Sequence, residues 1–320
     1  MKRIAVMTSG GDCPGMNAAI RSVVRTALNY EMEVYGIEQG YSGLMEDQFI
    51  KLESRSVANM IQRGGTFLRS ARAPEFKEEE GQLKAMENLK NQGIEGLIVI
   101  GGDGSLAGAK VIHDKYHFPV IGIPGSIDND IYGTDMSIGV DTALNTILWC
   151  IDTINDTASS HDRTFIIEVM GRNCGYLALM SAISGGAEAA LIPEVPFKIE
   201  NIIKKIKERY EEGKTRSVII LAEGVGSAGD FGKTFDMIGG FETRITVLGH
   251  IQRGGSPTHF DRILATRMGA SAVDSLLNGE SGVMTALQER KIELVPLGEV
   301  LNNKRKMDKK LLEIAEVLSK

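Results

Sequence analysis

The stretch GIPGSIDND (122–130) leaves an apolar run, turns at Pro-Gly-Ser and sets Asp128 and Asp130 on either side of one asparagine. Acids at a strand exit can simply face water, or they can hold a metal and take a proton. A second turn, GGDGS (101–105), surrounds Asp103 with glycines that let phosphates reach the backbone. A carboxylate there repels those phosphates unless Mg²⁺ lies between them, and Mg²⁺ takes one or two carboxylates together with phosphate oxygens. An Asp-Gly turn with a solvated acid is the competing reading. TSGGDCPG (8–15) follows an apolar strand and opens a helical pattern, where free N–H groups and the helix dipole favour an anion. Phosphoryl transfer is mostly positioning and charge stabilisation, but an alcohol nucleophile still needs an acceptor for its proton. Asp128 suits that role, with Asp130 helping the metal.

Arginines complete the pattern. Arg72 in SARAPE, Arg163 in HDRTF, Arg172 in MGRNCG, Arg244 in ETRI and Arg253 in GHIQRGGSP stand near glycine turns or strand ends, away from the obvious helix faces. Each alone reads as a surface or ion-pair arginine. Five beside turns fit a sugar phosphate and a transferring phosphoryl group, since both take planar bidentate donors. His250, next to Gly249 and close to Arg253, fits a substrate phosphate, against a default role as a satisfied core histidine. Glu223, ending SVIILAEG, fits sugar hydroxyls or solvent.

These turns need a scaffold. Apolar runs supply it at IAVM (4–7), EGLIVI (95–100), VIGI (120–123), TFIIEVM (164–170) and SVIILAE (217–223). Between them lie amphipathic stretches of helical length, among them MNAAIRSVVRTALN and VDTALNTILWCIDTIND. The second places Val140, Leu144, Ile147, Leu148, Ile151 and Ile154 on one face. Alternating strands and helices predict an α/β fold with parallel sheets covered on both sides and ligands outside the carboxyl ends of the strands. KRIAVMTSGGDCPGMNAAI and RTFIIEVMGRNCGYLALM share the order strand, glycine turn, small-residue helix start. That reads either as two similar halves meeting at a cleft or as the repetition any α/β chain shows.

At 320 residues, 42% of them hydrophobic, the chain can bury two cores of ordinary domain size. The 37 glycines against 8 prolines point to close turns rather than disorder. A net charge of −6 argues against a nucleic-acid surface, so an anionic ligand must be held by local arginines and backbone N–H groups. Cys13, Cys150 and Cys174 lack CxxC spacing, which indicates neither a zinc site nor a disulfide framework, and a reducing cytoplasm is expected. The first apolar run is too short for a signal-peptide core, and no segment reaches the roughly 18 apolar residues that span a bilayer. A soluble protein that stays in the cytoplasm, with no membrane partner, is expected. KRKMDKK (304–310) reads as a solvated helix face, and no Pro-, Gly- or Ser-rich linker separates the halves.

TSGGDCPGMNAAIR, RGGTFLRSAR, GGDGS, PGSIDND, MGRNCG and GHIQRGGSP, in this order and spacing, resemble the bacterial ATP-dependent 6-phosphofructokinases over nearly the whole chain. The resemblance implies two similar Rossmann-like α/β domains, with mainly parallel sheets covered by helices and the active site in the cleft between them. It implies a larger ATP-binding domain of residues 1–138 plus 252–302 and a smaller fructose 6-phosphate-binding domain of 139–251 plus 303–320. The implied reaction carries the γ-phosphoryl group of MgATP to the C1 hydroxyl of fructose 6-phosphate. Asp128 would be its general base, with Arg72, Arg172 and Ser126 as further catalytic residues, and Asp103 with Asp130 would hold Mg²⁺. Gly11, Arg72, Ala73, Gly102, Asp103, Gly104 and Ser105 would contact ATP. Ser126, Ile127, Asp128, Met170, Gly171, Arg172, Glu223, His250, Ile251, Gln252 and Arg253 would contact the sugar phosphate. Arg163 and Arg244 match arginines that family members lend across a subunit boundary, so a homotetramer with shared sites is implied.

Some positions depart from the family pattern. Ser126 replaces a threonine and keeps the hydroxyl, Ala73 replaces a frequent aromatic, and Lys77 stands where an arginine is common. The resemblance places effector contacts at Arg21, Arg25, Arg55, Asn155, Gly186, Glu188, Glu212, Lys214 and Arg216. Arg21 and Arg25 share a helix face, which also suits a solvated pair. Ser54, Asn155 and Glu212 replace basic residues of ADP-regulated relatives, so a feeble or altered response to ADP and phosphoenolpyruvate is expected. Pyrophosphate-dependent relatives carry GGDD and PKTIDND, where this chain has Gly104 and Gly125. Glycine leaves room there for the rest of a nucleotide. Kinases of NAD or lipid alcohols share only the GGDG turn. A non-catalytic sugar-phosphate sensor would lack the base or metal carboxylate, and both Asp103 and Asp128 are present.

Overall fold

The computed structural model describes residues 1–158, 163–213 and 216–318. In chain order come β1 (Arg3–Ser9), α1 (Met16–Asn29), β2 (Glu33–Ile37), α2 (Gly40–Met45), β3 (Phe49–Leu52), α3 (Glu79–Asn91), β4 (Gly96–Gly101), α4 (Asp103–Tyr116) and β5 (Val120–Pro124). Next are α5 (Val140–Ala158), β6 (Thr164–Val169), α6 (Tyr176–Gly185), β7 (Ala189–Leu191), α7 (Ile199–Glu211), β8 (Ser217–Ala222), α8 (Ala228–Thr234) and β9 (Thr243–Val247). The chain ends with α9 (His259–Leu277), β10 (Val283–Gln288), β11 (Lys291–Pro296), α10 (Leu297–Asn302) and α11 (Lys309–Leu318). The chain divides into two compact units. The first holds Met1–Ile127, Ile131–Thr142 and Arg253–Arg305, and the second holds Asp128–Asp130, Ala143–Gln252 and Lys306–Lys320.

The first unit is built on a seven-stranded sheet in the order β11-β10-β5-β4-β1-β2-β3. Every residue of β4 and β5 is buried, which is what a parallel strand covered on both faces requires. One face packs Met7, Leu97, Val99, Leu106, Ile112 and Val120 into a core with α3 and α4. On α9, Gly269 lies so close to α1 that a Cβ would sit 2.7 Å from the Ser22 Cβ. The sheet is not wholly parallel, because β2–β3 and β10–β11 pair antiparallel at its two edges.

The second unit has a four-stranded parallel sheet in the order β7-β8-β6-β9. Ile166, Ile219, Leu221 and Phe235 form its core with Ile203 and Ile206 from one stripe of α7. KRKMDKK departs from the expected helix face. Its first residues are irregular, and Arg305 donates to the carbonyls of Thr134 (2.6 Å) and Asp135 (2.9 Å), so that arginine works as a tether rather than a solvated charge. Cys13, Cys150 and Cys174 are unpaired, and no helix among the described residues is long and apolar enough to cross a membrane.

Candidate active site

In the first unit the neighbouring strands β5, β4 and β1 all end in glycine turns. The register sets Gly101 beside both Ser9 and Pro124, so the turns at 10–15, 101–105 and 124–126 lie side by side. The Gly125 N–H donates to the Gly101 carbonyl at 2.9 Å. A Cβ on Gly125 would sit 3.2 Å from Met16 and 3.4 Å from the Cys13 Sγ, which leaves little room for the longer side chain that stands there in PKTIDND. The turn before α1 needs glycine at Gly10 (φ 81°) and Gly15 (φ 109°). Thr8 Oγ1 donates to the Arg69 carbonyl at 2.8 Å and Ser70 Oγ to the Gly10 carbonyl at 2.7 Å. Asn17 accepts from the Phe67 N–H at 2.7 Å. These bonds tie the segment that carries exposed Arg72 to the first turn.

Gly102 precedes α4 with no side chain to cap it, which leaves first-turn N–H groups for a ligand. Ser105 Oγ is buried there with no hydrogen-bond partner, Asp103 is exposed, and nothing stands within 4 Å of where a Gly104 Cβ would be. Tyr41 fixes this turn from behind by donating to the Ser105 carbonyl at 2.7 Å. Among the described residues no group of three or more His, Cys, Asp or Glu gathers to hold a metal. Exposed Asp103, beside the uncapped N–H groups of its turn, is the kind of single carboxylate donor that magnesium, which keeps water and takes few protein carboxylates beside phosphate oxygens, would accept. Ala73 is half-buried against the core and precedes a short 3₁₀ turn, Pro74–Lys77. Arg253 lies against Gly11, where its guanidinium fills the space a Cβ would need, and its Nε is buried without a hydrogen-bond partner. Burial, then Asp261 and Asp12, push the Cys13 thiol well up, while Arg253 pulls it down.

Ser126 and Ile127 belong to the first unit and the next three residues to the second. Asn129 is fully buried at φ 51°, a left-handed conformation that asparagine tolerates better than most residues, so the two aspartates leave a sharp bend. Cys174 is raised to about 11 by burial first and then by Glu194, Asp130 and Asp128, so these carboxylates act on one thiol beside Arg172 and Asn173.

The second unit repeats the design of the first. Residues 170–175, 223–227 and 248–252 leave the carboxyl ends of β6, β8 and β9, which are neighbours in the sheet. They carry Met170, Gly171, Arg172, Glu223, His250, Ile251 and Gln252, of which Arg172, Glu223, His250 and Ile251 are exposed. Gly171 sits at φ 128°, and a Cβ there would overlap the Cys174 carbonyl. Gln252 behaves differently from the sugar contact expected of it. It is fully buried; its Oε1 accepts from the Met170 N–H at 3.1 Å and its Nε2 donates to the Gly249 carbonyl at 2.9 Å, joining two of these loops from behind. Glu194 similarly accepts from Gly175 at the start of α6 (2.8 Å).

Arg163 and Arg244 stand apart from this group. Arg163 precedes β6, and Arg244 pairs with Phe165 near the amino end of that strand. Met170 is seven residues further on, roughly 20 Å at strand rise. Both guanidiniums pair with Glu242, Arg163 at 3.1 Å. Of the effector positions, Arg21 and Arg25 face each other on α1, since burial and then Arg25 lower the Arg21 pKa. Arg55 is exposed, Gly186 is open at φ 64°, and Arg216 donates to the Asn155 carbonyl at 3.4 Å. Glu188 is buried, accepts from the Val218 N–H at 2.5 Å and pairs with Arg209 at 3.6 Å; Glu212 is exposed at the end of α7. Lys214 lies outside the described residues.

A family model described as phosphofructokinase matches residues 3–276. The chain is 54% identical to an ATP-dependent 6-phosphofructokinase of Thermotoga neapolitana and 56% identical to one of Halalkalibacterium halodurans, in each case over 100% of both chains. Among solved structures it is similar to phosphofructokinase from Saccharomyces cerevisiae, with a TM-score of 0.87 and 38% identity over 94% of this chain and 45% of that one. The chain thus spans under half of that larger protein. A pyrophosphate-dependent phosphofructokinase from Nitrosospira multiformis has the same fold, with a TM-score of 0.89 and 18% identity over 99% of this chain and 91% of that one.

Proposed function

Since the chain belongs to the phosphofructokinase family, we propose that it transfers the γ-phosphoryl group of ATP to the C1 hydroxyl of fructose 6-phosphate, releasing fructose 1,6-bisphosphate and ADP in glycolysis. The observation that carries this reading is the row of three glycine turns at the ends of β5, β4 and β1, with buried Ser105 Oγ lacking a protein partner and Gly104 opening to free space. Donor phosphates rest on the turn N–H groups, and the nucleotide passes over Gly104. Pyrophosphate has no use for that opening, which favours ATP as donor.

Asp128 takes the C1 proton as the alcohol attacks. Ser126 orients the same loop, and Arg72 and Arg172, both exposed, neutralise the moving phosphoryl group. Asp103, with Asp130, would hold Mg²⁺, which when bound would supply neutralisation of the charge on the donor phosphates. Met170, Gly171, Glu223 and His250 hold the sugar, with Gln252 positioning Met170. Arg163 and Arg244 lie at the far end of their own strands from these loops. That supports their service to the site of a neighbouring copy; the proposed assembly is a homotetramer, and its proposed compartment is the cytoplasm. The buried Glu188 and the missing cations at Ser54, Asn155 and Glu212 support a weak response to ADP and phosphoenolpyruvate.

A coupled assay of fructose 1,6-bisphosphate formation tests this, run with ATP, with pyrophosphate and with added ADP. Turnover with ATP alone is expected. Turnover with pyrophosphate only would overturn the donor assignment, and sugar-phosphate binding without ADP release would leave a sensor.

A further inference from the structure

Asp261, in the first turn of α9, is fully buried. Its sequence setting, Thr258-His-Phe-Asp261, has the spacing of a capping box, in which the threonine accepts from the third N–H and the acid returns to the threonine N–H. Only the first half forms, with Thr258 Oγ1 accepting from the Asp261 N–H at 3.3 Å. The Thr258 N–H donates instead to Thr142 Oγ1 at 3.0 Å. The Asp261 carboxylate reaches the other way, to the start of α5. Its Oδ1 accepts from the Gly139 N–H at 2.9 Å, and its Oδ2 accepts from the Thr142 N–H at 2.8 Å and Thr142 Oγ1 at 2.5 Å. One cap is therefore shared between two helices.

Gly139 follows Ile138, whose backbone is the hub of the site in the first unit. The Ile138 carbonyl accepts from the Ser126 N–H (3.2 Å) and from Cys13 Sγ (3.1 Å), and its N–H donates to the Pro124 carbonyl (3.1 Å). Ser126 stands two residues before Asp128, and Cys13 lies in the first phosphate turn. We propose that Asp261 is a positioning residue for phosphoryl transfer, anchoring Gly139 and Ile138 so that Ser126 and the loop carrying the base keep a fixed place beside the turn at Cys13. The inference rests on the reading of Asp128 as that base.

The charged state of Asp261 gives the idea a second readout. Burial raises its carboxyl from 3.8 to about 6, outweighing the donors on Thr142 and Gly139 that pull it down, and Asp141 adds to the rise. The ionisable groups facing this joint are Asp141 on α5, which accepts from Thr258 Oγ1 at 2.6 Å, and the Cys13 thiol, with Asp12 and Arg253 acting on that thiol in turn. A folded-state pKa above the unfolded value means that Asp261 contributes stability fully below about pH 4 and loses it as pH rises through about 6. Above that point the ionised acid burdens the fold while making its strongest bonds to the backbone.

Asp261→Asn separates these effects. The amide keeps the shape but turns NH₂ toward one of the backbone donors, so either Gly139 or Thr142 loses its acceptor. We expect the variant to fold at pH 7.5, with kcat lowered about tenfold, within the range set by small misplacements of reacting groups, and with KM for ATP within about twofold of wild type. Wild-type kcat should rise as pH passes through about 6, and in Asp261→Asn that rise should vanish, together with the Asp261 contribution to the pH dependence of Tm across the same interval. Thr142→Val should give a smaller loss of kcat, most of it restored by Thr142→Ser. Wild-type kcat with an unchanged pH profile in Asp261→Asn would overturn the proposal. So would an activity loss that merely follows unfolding while Thr142→Val stays fully active. If the wild-type chain forms no fructose 1,6-bisphosphate, the reading of function fails instead.

Discussion

Gly11 owes its identity to a neighbour as much as to a ligand. Its backbone is not left-handed, yet a Cβ would overlap the Arg253 guanidinium. Gly11→Ala must therefore push the tip of that flexible side chain aside, with little strain on the fold. Catalytic efficiency toward fructose 6-phosphate should fall with Gly11→Ala and with Arg253→Ala, and the double variant should be no worse than Arg253→Ala by more than about twofold, since coupled residues are not additive. Additive losses in that double-mutant cycle would break the link. Asp128→Asn should retain fructose 6-phosphate binding by calorimetry and lose at least ~10²-fold in kcat, the lower end for a missing general base. Undiminished kcat would remove Asp128 from that role. The turns holding these residues are legible in the sequence through the joint occurrence of GGDGS, PGSIDND and GHIQRGGSP, since glycine and aspartate at any single strand exit are ordinary turn residues. Asp261 is not, because its capping-box spacing advertises a local job. Gln252 misleads for a related reason, since a polar residue inside a substrate motif reads as a contact while this one faces inward.

The elements divide the same way. β4, β5, β6 and β8 are legible as apolar runs because both faces of a central parallel strand are covered. The edge strands β3 and β11, and β9 with its Thr-Arg-Ile-Thr-Val pattern, carry polar residues on an open face and give no such signal. Missing β9 hides the pairing that sets Arg244 beside Phe165 and close to Arg163. Glu242, just before that strand, holds both guanidiniums, so under the proposed function it would compete with a substrate phosphate for them. All three side chains are partly exposed, so the pairs together hold about 1 kcal/mol or less. Glu242→Gln should accordingly lower the half-saturating fructose 6-phosphate concentration about two- to fivefold and leave ATP affinity unchanged. A weaker fructose 6-phosphate affinity in that titration would mean that the carboxylate organises the arginines rather than competing for them.

Across the whole molecule, a site completed by Arg163 from another copy predicts complementation. Assemblies re-formed from a mixture of Asp128→Asn and Arg163→Ala chains should regain activity that neither pure variant has, because some sites then draw the base from an Arg163→Ala chain and the arginine from an Asp128→Asn chain. Mixed assemblies as inactive as the parents would confine each site to one chain. The split of each unit into separate segments also bears on how the protein is made. The sheet of the first unit has β10 and β11 as one edge, beyond β5, yet the ribosome delivers them only after β6, β7, β8 and β9. A nascent chain therefore holds the bare rim of β5 open while another sheet is synthesised, a template for aggregation that calls for a chaperone until residues 283–296 emerge.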